Sequence, residues 1–129
     1  MKVNYKIALT LLGGIALGAA AIQGLHAQAK PPSYVVVDIS EITDSEGYKA
    51  AGQRSNAAAA AVFKDHGGKY LARTDKITAF DGNAPKRFVI IAFDSVEKAQ
   101  AWNNSTDQKE INAIRAKTTK SRSFAVEGM

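Results

Sequence analysis

The chain predicts an α+β fold of the split βαβ kind, a four-stranded antiparallel sheet with two helices on one face. Three observations predict it. Apolar runs and helical patterns follow one another in the order strand, helix, strand, strand, helix, strand. Within Lys64 to Arg73, KDHGGKYLAR, a helix ends and a strand begins. There His66 falls in a last turn, Gly67 and Gly68 supply the left-handed backbone of a helix exit, and Tyr70-Leu71 open an extended segment. Two strands are also apolar on both faces, which helices on one side of a sheet cannot satisfy. A partner sheet is the simplest cover, so a sheet-to-sheet dimer is expected.

Residues 1–29 read as a signal peptide and residues 30–129 as a single domain. Lys2 and Lys6 form a positive start, Ile7 to Ile22 an apolar run, and Ala27-Gln28-Ala29 a small-x-small cleavage site. A lasting membrane span needs about 20 strongly apolar residues, and this run is shorter and diluted by Gly13, Gly14 and Gly18. An exported protein, periplasmic or secreted, is therefore expected, with no stable span after cleavage. The absence of a following cysteine argues against a lipid anchor, and the absence of paired arginines favours the general secretory route. The remaining 100 residues suffice for one small domain. Its formal charge falls from +5 to +3, because Lys2 and Lys6 belong to the leader. The other basic residues are scattered without a basic stripe, so no nucleic-acid partner is expected. Without cysteine, thiol catalysis, thiolate metal sites and iron–sulfur clusters are excluded, and stability must come from the core or from association.

The first strand is Tyr34 to Ile39, YVVVDI, with Val35, Val37 and Ile39 on one face and Tyr34, Val36 and Asp38 on the other. Thr43 with Glu46 fits a capping box, and Asp44 adds negative charge where the first helix begins. Its buried stripe reads Tyr48, Ala51, Ser55, Ala58, Ala59, Val62, Phe63 and His66, with Lys49, Gln53, Asn56 and Lys64 opposite. Alanine from 57 to 61 favours helix by propensity and lets it sit close to a sheet. Strand two runs from Lys69 to Arg73, with a continuation past Thr74-Asp75 as far as Phe80 as an option. Asp81 to Pro85 is a turn cluster, so Arg87 to Phe93, RFVIIAF, returns antiparallel. That strand is apolar on both faces and must be central. Asp94 with Glu97 reads as a second capping box, and Val96, Ala99 and Trp102 share a helix face. Asn103-Asn104 breaks this helix, and Ser105 with Gln108 restarts it, with Ile111, Ile114 and Arg115 on one side. A last strand spans Ser121 to Glu127. This order is the ferredoxin-like one.

The candidate site is Arg87, Arg73 and Arg115 with Tyr48 and Trp102. Arginines beside aromatic rings at a sheet edge can hold a carboxylate bidentately while the rings cover its apolar part. The alternative makes Tyr48 and Trp102 core and pairs the arginines with Asp38, Asp81 or Asp94. His66 is the only histidine after the leader, so no metal site with two histidine ligands can form within one protomer, and no metal or cofactor is expected. As a cation at a helix C-terminus His66 would favour the helix dipole, and as a base it would serve catalysis. Gly67-Gly68 already accounts for a polar residue there, which favours the capping role. The same pair is not a phosphate loop, since such loops precede a helix. Asp44 is a candidate base only if buried near Tyr48, and is otherwise a helix cap. Ser45, Ser95 and Ser105 lie at helix starts, and no G-x-S-x-G elbow supports a hydrolase.

Asp44-x-x-x-Tyr48, His66-Gly67-Gly68-Lys69-Tyr70, the Arg87-led strand, Trp102 and Arg115 stand in an order and spacing that resembles domain of unknown function 1330, of the dimeric α+β barrel superfamily. The resemblance covers Tyr34 to Gly128. It implies a ferredoxin-like protomer that pairs through its sheets, and no established activity. The chain departs from the family pattern at Ala51 and Gln108, where members often carry tyrosine. The wider superfamily includes cofactor-free monooxygenases, haem-degrading enzymes and isomerases, which adds haem ligation as a third role for His66. The leading expectation is an exported homodimer that binds a small organic anion through Arg87, Arg73 and Arg115. The alternatives are a cofactor-independent enzyme with His66 or Asp44 as base, and an interaction protein without a ligand.

Overall fold

A run of β-branched residues starts the domain. In the computed structural model, which describes residues 30–129, that run lies in strand β1 (Ser33–Ile42). The predicted signal peptide lies outside the described residues, as does the side chain of Val62. After β1 come helix α1 (Ser45–His66), strands β2 (Lys69–Thr74) and β3 (Arg87–Phe93), helices α2 (Val96–Asn103) and α3 (Thr106–Thr118), and strand β4 (Thr119–Glu127). The strands form one sheet in the order β2-β3-β1-β4, every neighbour antiparallel. The second predicted helix is thus two helices, broken at Asn104 as expected. Among the described residues no helix is long and apolar enough to cross a membrane.

Register decides which side chains share a face, because residues directly opposite each other in a ladder point the same way. Val35 stands opposite Ile91, Val37 opposite Val89 and Ile39 opposite Arg87. Val35, Val37, Ile39, Ile91 and Phe93 meet Ala99 and Trp102 of α2 in a buried core on this face. Full burial of such a side chain is worth about 1.5–3 kcal/mol, so these central strands carry most of the domain's apolar stabilisation. On the other face Val36 lies between Ile90 and Phe124, and Tyr34 between Ala92 and Val126. Among the described residues no helix covers that face, and Phe124 and Val126 are exposed.

Helix α1 shows its predicted stripe, with Ala51 buried, Tyr48, Ser55, Ala58, Ala59, Phe63 and His66 half-buried, and Lys49, Gln53, Asn56 and Lys64 exposed. Three local expectations are corrected. The N-cap is Asp44 and not Thr43: the amides of Thr43 and Asp44 both donate to the Thr118 carbonyl, which holds this backbone outside the helix. Asp44 is extended and its Oδ1 accepts from the Gly47 amide at 3.2 Å. Ser95, not Asp94, caps α2 by accepting from the Lys98 amide at 3.3 Å, while Asp94 pairs with the Lys98 ammonium at 3.1 Å. Val96 does not join the buried face of that helix, being 44% exposed.

The helix exit follows the glycine logic only in part. Gly67 takes φ 70° and its amide returns to the Phe63 carbonyl at 2.7 Å. Gly68 is not left-handed; a Cβ there would lie 2.7 Å from the rings of both Phe63 and Phe93. Its smallness serves close packing of strand against core. Strand β2 stops at Thr74, whose hydroxyl accepts from the Lys76 amide at 2.9 Å, so the optional continuation to Phe80 is not formed. Gly82, with φ 70°, turns the chain in the predicted loop, and Lys86 rejoins the sheet through the Ile39 carbonyl at 2.8 Å.

Candidate functional site

A cavity lies between the helices and the core face of β1, β2 and β3. Its floor is Val37, Ile39, Val89 and Ile91, and its walls include Tyr48, Ala51 and Ser55 of α1, Trp102 of α2, and Gln108 and Ile111 of α3. Arg73, Arg87 and Arg115 line it as well, from β2, β3 and α3. The five residues singled out from sequence, Arg73, Arg87, Arg115, Tyr48 and Trp102, therefore share one cavity, and its lining contains no carboxylate. The space open to the centre of a water molecule is about 70 Å³. At roughly 10–15 Å³ per water by that measure, it takes about five water-sized groups.

Each arginine lines the cavity for a local reason. Arg87 opens β3 opposite Ile39, and so inherits the core-facing side. Arg73 stands opposite Val89, also core-facing, with its guanidinium carbon 5.4 Å from the centre of the Tyr70 ring and Nη1 donating to Asn56 Oδ1. Arg115 lies one turn beyond Ile111 on α3 and donates from Nη2 to Asn112 Oδ1 at 3.0 Å. Burial holds the Arg115 guanidinium below the ordinary arginine value, opposed by its charge interaction with Tyr48. None of the three forms an ion pair with a described residue. Asp38 pairs instead with Arg122 at 3.1 Å on the open face, and Asp94 with Lys98. The alternative that placed the arginines against Asp38, Asp81 or Asp94 is not what the chain adopts. Its other half does hold for Trp102, which is buried and packs 5.4 Å from Phe93, ring centre to ring centre.

His66 and Asp44 do not line the cavity. His66 closes the last turn of α1, and the carboxylate of Asp44 caps the first. Among the described residues no cluster of three or more histidines or acids could hold a metal ion. Sequence reasoning missed Tyr70, Ser55 and Gln108 as lining residues. Gln108 carried a signal: it precedes Ile111 by three and Arg115 by seven, the spacing of one helix stripe. Ala51 and Gln108, where the family pattern often has tyrosine, both stand on the cavity wall.

Sheet order, helix placement and a cavity on the helix side define a ferredoxin-like α+β domain. Residues 32–129 match the family described as Domain of unknown function (DUF1330), and the chain belongs to that family. No curated protein sequence matches the chain significantly. Among solved structures it is similar to the RPA0582 protein of unknown function from Rhodopseudomonas palustris, at TM-score 0.59 and 16% identity, covering 85% of this chain and 92% of that one. It is similar to a dimeric ferredoxin-like protein of unknown function from Thermobifida fusca YX, at TM-score 0.55 and 12% identity over 76% and 92% of the two chains. A third similar structure is SnoaB, a cofactor-independent oxygenase from Streptomyces nogalater, at TM-score 0.52 and 10% identity over 77% and 94%. At these identities the likeness is one of fold.

Proposed function

We propose that this protein is an exported homodimer that binds a small organic anion in the cavity between helices and sheet. The observation that carries the reading is three arginines lining one largely apolar cavity without a lining carboxylate. Partly desolvated cations without a counter-ion are unfavourable, and partial burial lowers the proton affinity of half-buried Arg115. A carboxylate ligand would offset this desolvation through charge-assisted hydrogen bonds while Trp102, Tyr48 and the aliphatic floor cover its carbon atoms. The enzymatic alternative named His66 or Asp44 as base, and neither lines the cavity, so binding is the reading the geometry favours.

Export is supported by the leader pattern from Lys2 to Ala29. The dimer is supported by the open sheet face, where Val36, Ile90, Phe124 and Val126 stand side by side, and by the dimeric state named for the Thermobifida fusca neighbour. The test is calorimetric titration of the mature protein with a panel of two- to six-carbon carboxylates. Saturable binding that weakens at least tenfold in Arg87→Met supports the reading. Absence of binding across the panel would overturn it. N-terminal sequencing of protein recovered from the producing cells' exported fraction checks the leader, a start at Lys30 being the expected result.

A further inference from the structure

Gln108 is only 5% exposed, yet it lines the cavity. Its amide orientation is determined by its neighbours. Arg115 can only donate, so the Asn112 atom that meets Arg115 Nη2 at 3.0 Å is the carbonyl Oδ1. That same Oδ1 lies 2.9 Å from the Gln108 amide, so the Gln108 atom there must be the donor Nε2. The other end of Asn112 agrees: its Nδ2 donates to Asn103 Oδ1 at 2.9 Å. By elimination, Gln108 keeps its acceptor Oε1 free of any hydrogen bond to a described residue. Gln108 therefore brings an acceptor with no donor among the described residues to a cavity whose charged groups are all donors.

Building on the anion reading, we propose that the ligand is a hydroxycarboxylate: its carboxylate faces the guanidiniums and its hydroxyl donates to Gln108 Oε1. An ammonium donor fits less well, since three guanidiniums in the same cavity repel a further positive charge. A hydroxyl supplies the proton without charge. The small volume limits the carbon skeleton to a few atoms, with the aliphatic floor against it.

The test compares matched pairs that differ only in the hydroxyl: lactate with propionate, and 3-hydroxybutyrate with butyrate, each enantiomer separately, titrated calorimetrically into the mature wild-type protein. A hydroxylated member binding about tenfold tighter than its partner is the expected result, with Gln108→Met abolishing the preference while the carboxylate still binds. Equal affinity within every pair would overturn the hydroxyl assignment and leave anion binding standing. If no member of any pair binds, this inference fails together with the anion reading. The wild-type comparison decides the matter even if Gln108→Met does not fold.

Discussion

The guanidinium of Arg73 lies over the ring of Tyr70, 5.4 Å from its centre, although three positions separate them on one strand. In a regular strand residues so spaced point to opposite faces. Leu71 removes the conflict. Tyr70 pairs with Ile91 and Ala72 with Ile90, leaving Leu71 as an extra, 53% exposed residue. The bulge turns Arg73 toward the cavity side, where it joins Arg87.

Tyr70 also meets Phe63 edge-on, ring centres 4.5 Å apart at 83°. Cation–π and edge-to-face contacts of this kind are worth about 0.5–1.5 kcal/mol each. Tyr70→Leu is expected to lower unfolding free energy by about 1–2 kcal/mol in urea titration. An unchanged midpoint would show that the pair contributes nothing.

The two glycines after α1 should respond differently from what backbone angles alone suggest. Gly67→Ala makes only ordinary contacts, the nearest at 3.7 Å, and is opposed only by its φ of 70°; the expected cost is about 1–2 kcal/mol. Gly68→Ala has an ordinary backbone but drives a methyl group to 2.7 Å from both Phe63 and Phe93, for an expected cost of about 1–3 kcal/mol. Thermal melts of the two variants check this, and a harmless Gly68→Ala would refute the packing role.

Asp44→Ala removes the cap on α1, with an expected loss of about 1 kcal/mol. Carboxylate affinity is expected to stay at the wild-type value, because Asp44 stands outside the cavity. A collapse of affinity in a folded variant would revive a chemical role for this residue.

Arg115→Met should leave stability within about 1 kcal/mol of wild type, or above it, because it removes a desolvated charge and keeps the bulk. Anion affinity should fall at least tenfold. For pH, the sign follows from the lowered proton affinity of Arg115. The unfolded chain holds that proton to higher pH than the folded one, so stability from this group rises with pH only between the two alkaline values and is flat below both. Carboxylate binding is therefore expected to be constant between about pH 6 and pH 9. A titration centred near neutrality would mean that another group controls the site.

Phe124→Glu places a charge on the apolar open face, opposite Val36. Light scattering coupled to size exclusion is expected to show a dimer for the mature wild type and a monomer for the variant. A monomeric wild type would refute the sheet-to-sheet pairing.

Much of this protein follows from local pattern. The β-branched run after Ser33, the three-and-four spacing from Tyr48 to His66, and the double-sided apolar strand Arg87 to Phe93 each carry their own period, and element order with antiparallel return leaves few topologies. Helix caps were legible only to within a residue, since Thr43 or Asp44, and Asp94 or Ser95, are equally good caps in isolation. The choice fell to contacts from elsewhere, such as the Thr118 carbonyl on the amides of Thr43 and Asp44. The cavity is a deeper case. Its arginines were recognisable by type, but Arg73 reaches it through a bulge that depends on pairing with β3, and Gln108 acquires its amide orientation from a network closed by Asn112 and Arg115. Periodicity along the chain determines which residues form helix and strand; register and long-range hydrogen bonding, which exist only once the elements meet, decided which polar residues line the cavity.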